Sequence, residues 1–196
     1  MTSDLNPMFL LGARSVTQFP VDSGVEVGFV GRSNSGKSSA INAITRHSRL
    51  ARTSKTPGRT REINFFSLGD DRRLVDLPGY GFAKVDASLR AQWRGLMEGY
   101  FHGRGSLRGL FITVDIRRGI GELDAVMLRW AQTAGVPAAV LLTKADKLSR
   151  SAANKALREI RAALAADVAV ALFSAPKRDG VEVARAQLLA WLGLDH

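Results

Sequence analysis

Residues 1–23 mix polar and apolar positions without a sustained period and contain two prolines, a pattern that predicts an arm lying along a domain. From Val25 the pattern sharpens. VEVGFV, Val25–Val30, is a short β-rich apolar run, Gly31–Gly36 is polar and too short for regular structure, and a helix over Lys37–Arg46 follows. His47–Arg61, HSRLARTSKTPGRTR, is polar and basic with no helical period, and loops of this length usually carry function. Glu62–Leu68 and Arg73–Leu77 predict two strands joined through Gly69-Asp70-Asp71, a hairpin.

Beyond Pro78-Gly79-Tyr80-Gly81 the period becomes helical from Ala87 to Phe101, with Leu89, Trp93, Leu96, Met97 and Tyr100 on one face, a core stripe. Three strand–helix units follow: Gly109–Asp115 with Glu122–Thr133, Ala138–Thr143 with Ser149–Ala165, and Val168–Phe173 with Val181–Leu192. Strands that are almost continuously apolar and alternate with helices predict a sheet covered on both faces. The expected fold is therefore α/β, a mostly parallel six-stranded sheet with one antiparallel edge strand and helices on both faces. It forms a single domain over residues 24–196 behind an N-terminal arm of residues 1–23.

Composition narrows the class. With 196 residues, 45% hydrophobic and 23% charged, the chain resembles neither a disordered nor a fibrous protein. No apolar run approaches the roughly 20 residues a membrane span needs, and no basic stretch precedes the short apolar patch near the start, so neither a membrane span nor a secretory signal is expected. The absence of cysteine excludes disulfides and thiolate metal sites, which makes the cytoplasm the expected location. Twenty-eight Lys+Arg against 18 Asp+Glu give a net charge of +10. Two readings stand: a polyanionic partner such as nucleic acid or a ribonucleoprotein, or a solvated arginine-rich surface.

Gly31-Arg32-Ser33-Asn34-Ser35-Gly36-Lys37-Ser38 matches G-x-x-x-x-G-K-[ST], placed after a strand and at the start of a helix, as its chemistry requires. The glycines let the backbone curl so that successive N–H groups and the helix N-terminus point at phosphate oxygens. Lys37 would reach the β and γ phosphates, and the Ser38 hydroxyl would ligate Mg²⁺. Thr143-Lys144-Ala145-Asp146 closes a later strand. A carboxylate there accepts from both N1–H and the exocyclic amino group of guanine, a donor pair that adenine lacks, and the Lys144 stem can pack over the base. Asp76-Leu77-Pro78-Gly79 also ends a strand: Asp76 can hold a Mg²⁺-bound water, and the Gly79 N–H can sense the γ phosphate. Phe173-Ser174-Ala175 offers backbone N–H groups to the guanine carbonyl.

GRSNSGKSS, TSKTPGRTREINFF, DLPGYGFAK and LLTKADKL together resemble the bacterial EngB (YihA/YsxC) family of translation-factor-type GTP-binding proteins, over about Gly28–Ala175. The resemblance implies a P-loop NTPase three-layer sandwich that binds Mg-GTP, hydrolyses it slowly, takes part in large-ribosomal-subunit assembly and is needed for normal cell division and septation. It implies phosphate binding by Gly31–Ser38, a first switch at Gly58, Arg59, Thr60, Arg61 and Glu62, a second at Asp76–Gly79, guanine binding by Thr143–Asp146 and Phe173–Ala175, and Ser38 with Thr60 as Mg²⁺ ligands. Two features depart from the broader GTPase pattern. Thr143 stands where many GTPases carry Asn, and no Gln follows Gly79. Lys37 and Gly79 are the expected catalytic groups; Asn34 suggests a K⁺ ion in place of an arginine finger, while Arg59 and Arg61 fit either an internal finger or RNA contact. The partners implied are a guanine nucleotide and ribosomal RNA or a 50S precursor, with the protein a monomer. The alternatives are a division-site protein without RNA contact and a small-molecule kinase.

Overall fold

A computed structural model describes residues 5–48, 50–51, 62–81 and 86–194. Seven strands form one sheet in the order β1-β3-β4-β2-β5-β6-β7, with β1 at Met8–Ala13, β2 at Val25–Gly31, β3 at Ile63–Ser67, β4 at Arg72–Asp76, β5 at Leu107–Asp115, β6 at Ala138–Thr143 and β7 at Ala169–Leu172. β2, β4, β5, β6 and β7 pair in parallel, and β3 runs antiparallel to both its neighbours. The expected α/β sandwich is present with one strand more than the periodicity predicts. The extra strand comes from the arm: Met8–Ala13 pairs with Ser67–Ile63. Met8, Phe9 and Leu10 are all exposed, so no alternation marks the strand; its backbone bonds to β3, and Phe9 meets the Phe66 ring edge-on at 5.8 Å.

Among the described residues five α-helices cover the sheet: α1 at Lys37–Thr45, α2 at Ala87–Gly103, α3 at Glu122–Thr133, α4 at Arg150–Ala163 and α5 at Val181–Leu192. Alternation along the central strands feeds two cores. Val27 and Phe29 of β2, Phe111 of β5 and Leu141 of β6 meet α1 and α5 through Ile41, Ile44, Leu188 and Leu192. Val30, Leu110, Ile112, Val114, Val140 and Leu142 face α2, α3 and α4 through Met97, Tyr100, Phe101, Met127 and Ala153. Asp86 caps α2 by accepting from Leu89 N at 2.9 Å, and Ser149 caps α4 by accepting from Ala152 N at 3.2 Å. The β3–β4 hairpin turns through three consecutive positive φ values, Gly69 at 83°, Asp70 at 45° and Asp71 at 54°.

The edge of the sheet where β2 starts holds a buried charge network. Glu26, fully buried, accepts from Arg73 Nη1 at 3.2 Å, from the Tyr100 hydroxyl at 3.1 Å and from Arg104 Nε at 3.2 Å, with a second, closer bond to Arg104 Nη2. Arg104 also donates to Pro20 O at 2.7 Å and Arg73 to Ser23 O at 2.9 Å, so the network ties the arm to the domain. Burial, then the Glu26 charge, pushes the Tyr100 phenol well above its usual range. Part of the positive charge is thereby spoken for within the fold.

Candidate functional site

In a parallel sheet the C-terminal ends of the strands lie along one edge, where α/β proteins place their ligands. Here that edge gathers Gly31, Asp76, Asp115 and Thr143, and β3, being antiparallel, starts there just after Glu62. Glu62 accepts from Arg14 Nε at 2.6 Å, which joins the arm to this edge. Gly58, Arg59, Thr60 and Arg61 lie outside the described residues.

The loop after β2 is shaped by two left-handed residues, Asn34 with φ 63° and Gly36 with φ 93°, the second being the N-cap of α1. Among the described residues the Asn34 and Gly36 N–H groups make no backbone hydrogen bond, while those of Lys37 and Ser38 open a helix whose cap supplies no side-chain acceptor. Four donors thus converge at one helix N-terminus, a ready anion cradle. The underside is braced: the buried Ser35 hydroxyl meets that of Thr113 at 2.7 Å. The Lys37 ammonium pairs with the Asp76 carboxylate, both side chains nearly buried.

The segment after β4 runs beside this loop. Ser33 N donates to Tyr80 O at 2.8 Å and Tyr80 N to Gly31 O at 3.4 Å, and Gly79 lies against the loop, where an added Cβ would stand in van der Waals contact with Gly31 O and Ser33. The Tyr80 ring turns away into the core, where its hydroxyl donates to Asp124 at 2.5 Å and its face meets Trp93 at 6.0 Å. Burial, then the Asp124 charge, holds the Tyr80 phenol well above its usual range.

The third element is stapled to the first. The Thr143 hydroxyl donates to Ser35 O, with Val114 O a second acceptor at 3.1 Å. Lys144 has φ 58° and reaches back so that its Nζ donates to Asn34 O at 2.6 Å and to Asp115 at 2.9 Å. Thr143, short of the amide that many relatives carry, therefore makes a loop-bracing bond of its own. Asp146 accepts from the Ser174 hydroxyl at 2.7 Å and pairs with Lys147 at 3.3 Å; the Ser174 bond first, and Lys147 after it, hold its carboxyl below the usual range. It is an anion at neutral pH, as an acceptor for two guanine N–H groups must be.

Phe173–Ala175 fits its expected role only in part. Phe173 N donates to Leu142 O and Ser174 N to Asp179 O, both at 2.9 Å, leaving the Ala175 N–H as the donor of the three with no hydrogen bond among the described residues. Ser174 instead contributes its hydroxyl to Asp146, a role that Ser after an apolar strand did not announce. Asp115 was also missed, although a lone carboxylate closing the apolar strand FITVD at the ligand-binding edge is a legible signal. Of the positive charges, Arg104 is buried against Glu26 at the opposite edge of the sheet, and Arg46 pairs with Glu182 at 3.1 Å.

Among the described residues no three His, Cys, Asp or Glu side chains cluster as a metal cage. What lies beside the cradle is the Ser38 hydroxyl and the Asp76 carboxylate, hard oxygen donors that suit a Mg²⁺ ion taking its remaining ligands from phosphate and water. No helix among the described residues is long and apolar enough to cross a membrane.

Comparison with known proteins agrees with this geometry. The fold is shared with a probable GTP-binding protein engB at 20% identity and a TM-score of 0.70, covering 86% of this chain and 99% of that one. It is shared also with Era from Aquifex aeolicus bound to GDP·AlF4⁻, at 18% identity and a TM-score of 0.67, over 85% of this chain and 56% of that one. A further Era structure, in complex with MgGDPNP and a segment of 16S ribosomal RNA, matches at 17% identity and a TM-score of 0.66, with the same coverage. The family model described as 50S ribosome-binding GTPase matches residues 26–144, more than half of the chain, from the second residue of β2 to Lys144. With that match over more than half of its length, the chain belongs to the 50S ribosome-binding GTPase family.

Proposed function

We propose that the protein is a GTP-operated switch that acts on a precursor of the large ribosomal subunit, and that the cell-division and septation role implied by the EngB resemblance belongs to the same activity. The observation that carries this reading is the double staple between base-reading and phosphate-binding elements: Thr143 to Ser35 O and Lys144 to Asn34 O. It holds Asp146 and the cradle at a fixed separation, as recognition of one nucleotide by both ends requires. Gly31–Ser38, with Arg32, Ser33 and Ser35 shaping the loop, bind the phosphates, Asp146 reads guanine, and the Ala175 N–H is left for its carbonyl. Ser38 and Thr60 are the residues that would hold Mg²⁺, which neutralises charge on the phosphates when bound.

Slow hydrolysis follows from the second switch. The residue after Gly79 is Tyr80, whose hydroxyl is committed to Asp124, so no side chain at that position orients water. Lys37 and the Gly79 N–H stabilise charge on the transferring group. Asn34, through K⁺, or Arg59 or Arg61 is the candidate for the missing finger, and a faster rate in potassium than in sodium buffer selects Asn34. The family's ribosomal description and the RNA-bound Era structure favour a ribosomal RNA partner.

The test is direct. Lys37→Ala should abolish GTP and GDP binding in a fluorescent-nucleotide titration, and wild-type affinity in that variant would remove the cradle from the reading. Co-sedimentation with large-subunit particles in GTP but not GDP is the expected partner result. Binding indifferent to nucleotide would restore the reading of a merely basic surface, and no co-sedimentation in either state would favour the division-site alternative.

A further inference from the structure

Asp115 belongs to none of the nucleotide motifs, yet it is bound to one of them. Its side chain is 4% exposed at the end of β5, level with Thr143 on β6. One carboxylate oxygen accepts from Arg117 N at 3.1 Å and Nε at 2.9 Å; the other accepts from Arg117 Nη2 at 2.7 Å and Lys144 Nζ at 2.9 Å. All the acceptor capacity that points into the protein is thus used on two cations, one of which continues to the phosphate loop through the 2.6 Å bond to Asn34 O.

Lysine is a long chain with many rotamers, and an ammonium with one carbonyl partner at the surface would sample several. Two fixed acceptors at an angle leave it one position. Asn34 sits in the left-handed region, and its carbonyl belongs to the peptide that follows this bend, so anchoring that oxygen holds the curl that aims the Asn34 and Gly36 N–H groups at the phosphates. Arg117 backs the carboxylate from the other side and keeps it from swinging towards solvent. The acceptors of the Lys144 ammonium are Asn34 O and the Asp115 carboxylate, neither of them among the groups expected to meet the base.

We propose that Asp115, backed by Arg117, is a positioning residue that holds Lys144 on the Asn34 carbonyl and thereby sets how long any guanine nucleotide stays bound, without taking part in choosing the base. This rests on the reading of the Gly31–Ser38 loop as the phosphate site.

The experiment is release of fluorescent GDP and GTP from the wild-type chain, Asp115→Asn, Lys144→Met and the double variant. Asp115→Asn keeps the shape of the side chain and removes its charge; it should release both nucleotides on the order of 10-fold faster. Its preference for GTP over ATP and XTP should be unchanged, and it should have no further effect in the Lys144→Met background. Arg117→Ala, half-exposed and free of packing demands, should accelerate release by a few-fold through the same route. Unchanged release from Asp115→Asn, or an effect that adds in full to that of Lys144→Met, overturns the positioning role. A wild-type chain that retains no guanine nucleotide overturns the phosphate-site reading and this proposal with it, whereas a wild-type chain that retains it beside an unaffected Asp115→Asn overturns this proposal alone.

Discussion

Two buried carboxylates sit at opposite edges of the same sheet, each held by two cations, and they are built for different ends. Glu26 has partners that are themselves buried: Arg73 and Arg104 are each 8% exposed and Tyr100 is not exposed at all. Those arginines spend their remaining donors on Pro20 O and Ser23 O, inside the protein. Asp115 has partners on the rim, with the Lys144 and Arg117 side chains 31% and 48% exposed, and Lys144 divides its ammonium between the carboxylate and a loop carbonyl. A closed network cannot exchange partners without unfolding, so it specifies the fold; an open one can adjust to a ligand, so it serves binding. The lower edge should therefore answer in stability and the upper edge in nucleotide affinity.

Glu26→Ala should show the largest effect, a loss of about 3–5 kcal/mol in urea unfolding, because two buried guanidinium groups lose their counter-charge. Nucleotide affinity of the folded fraction should be unchanged; a large affinity change would blur the division between edges. Asp146→Asn should do the reverse, weakening GTP on the order of 100-fold by the loss of two charge-assisted bonds while leaving the unfolding midpoint in place. A gain of XTP binding in titrations would sharpen the assignment, and retained GTP preference would break it. Tyr80→Phe is expected to cost about 1–2 kcal/mol, since the buried Asp124 then keeps, among the described residues, the Gly121 N–H at 2.8 Å as its hydrogen-bond donor.

Acid is the condition under which both edges should answer in stability: hydrogen bonding from Ser106, with Gly105 and Arg104 beside it, holds Asp22 of the lower edge below the usual carboxylate range, and the upper edge has a depressed carboxylate of its own. The Arg117 guanidinium, with Lys144 behind it, holds the Asp115 carboxyl well below the usual carboxylate range. A carboxylate depressed in the folded state adds stability above its unfolded pKa of about 4 and loses it as pH falls towards the folded value. Stability measured by denaturation between about pH 4 and pH 2 should therefore fall, and Asp115→Asn should remove part of that slope. At the small end, Arg46→Ala breaks a solvent-facing pair with Glu182 and should change stability by about 0.5 kcal/mol or less.

Much of the fold was readable because its signals are local. Gly36, Lys37 and Ser38 mark the loop by spacing, and Glu122–Thr133, Ala138–Thr143 and Val181–Leu192 are found where their periodicity places them. The arm strand was not readable, because MFLLGA forms β structure only against β3, about fifty residues away. Nothing local marks Arg104 as a buried cation; the fold sets it against Glu26, 78 positions earlier. Phe173 and Ser174 looked like free donors until strand pairing and the Asp179 carbonyl used them.

The sequence by itself determined the α/β class and singled out Gly31–Ser38 and Thr143–Asp146 as the candidate nucleotide elements, since each depends on residues a few positions apart whose spacing matches the geometry of a turn or a helix. Only the tertiary structure decided which charges are free and which are committed. A pair such as Lys144 with Asp115 or Arg104 with Glu26 exists because β5, β6 and β2 are brought side by side, and no local pattern records a partner that arrives from another strand.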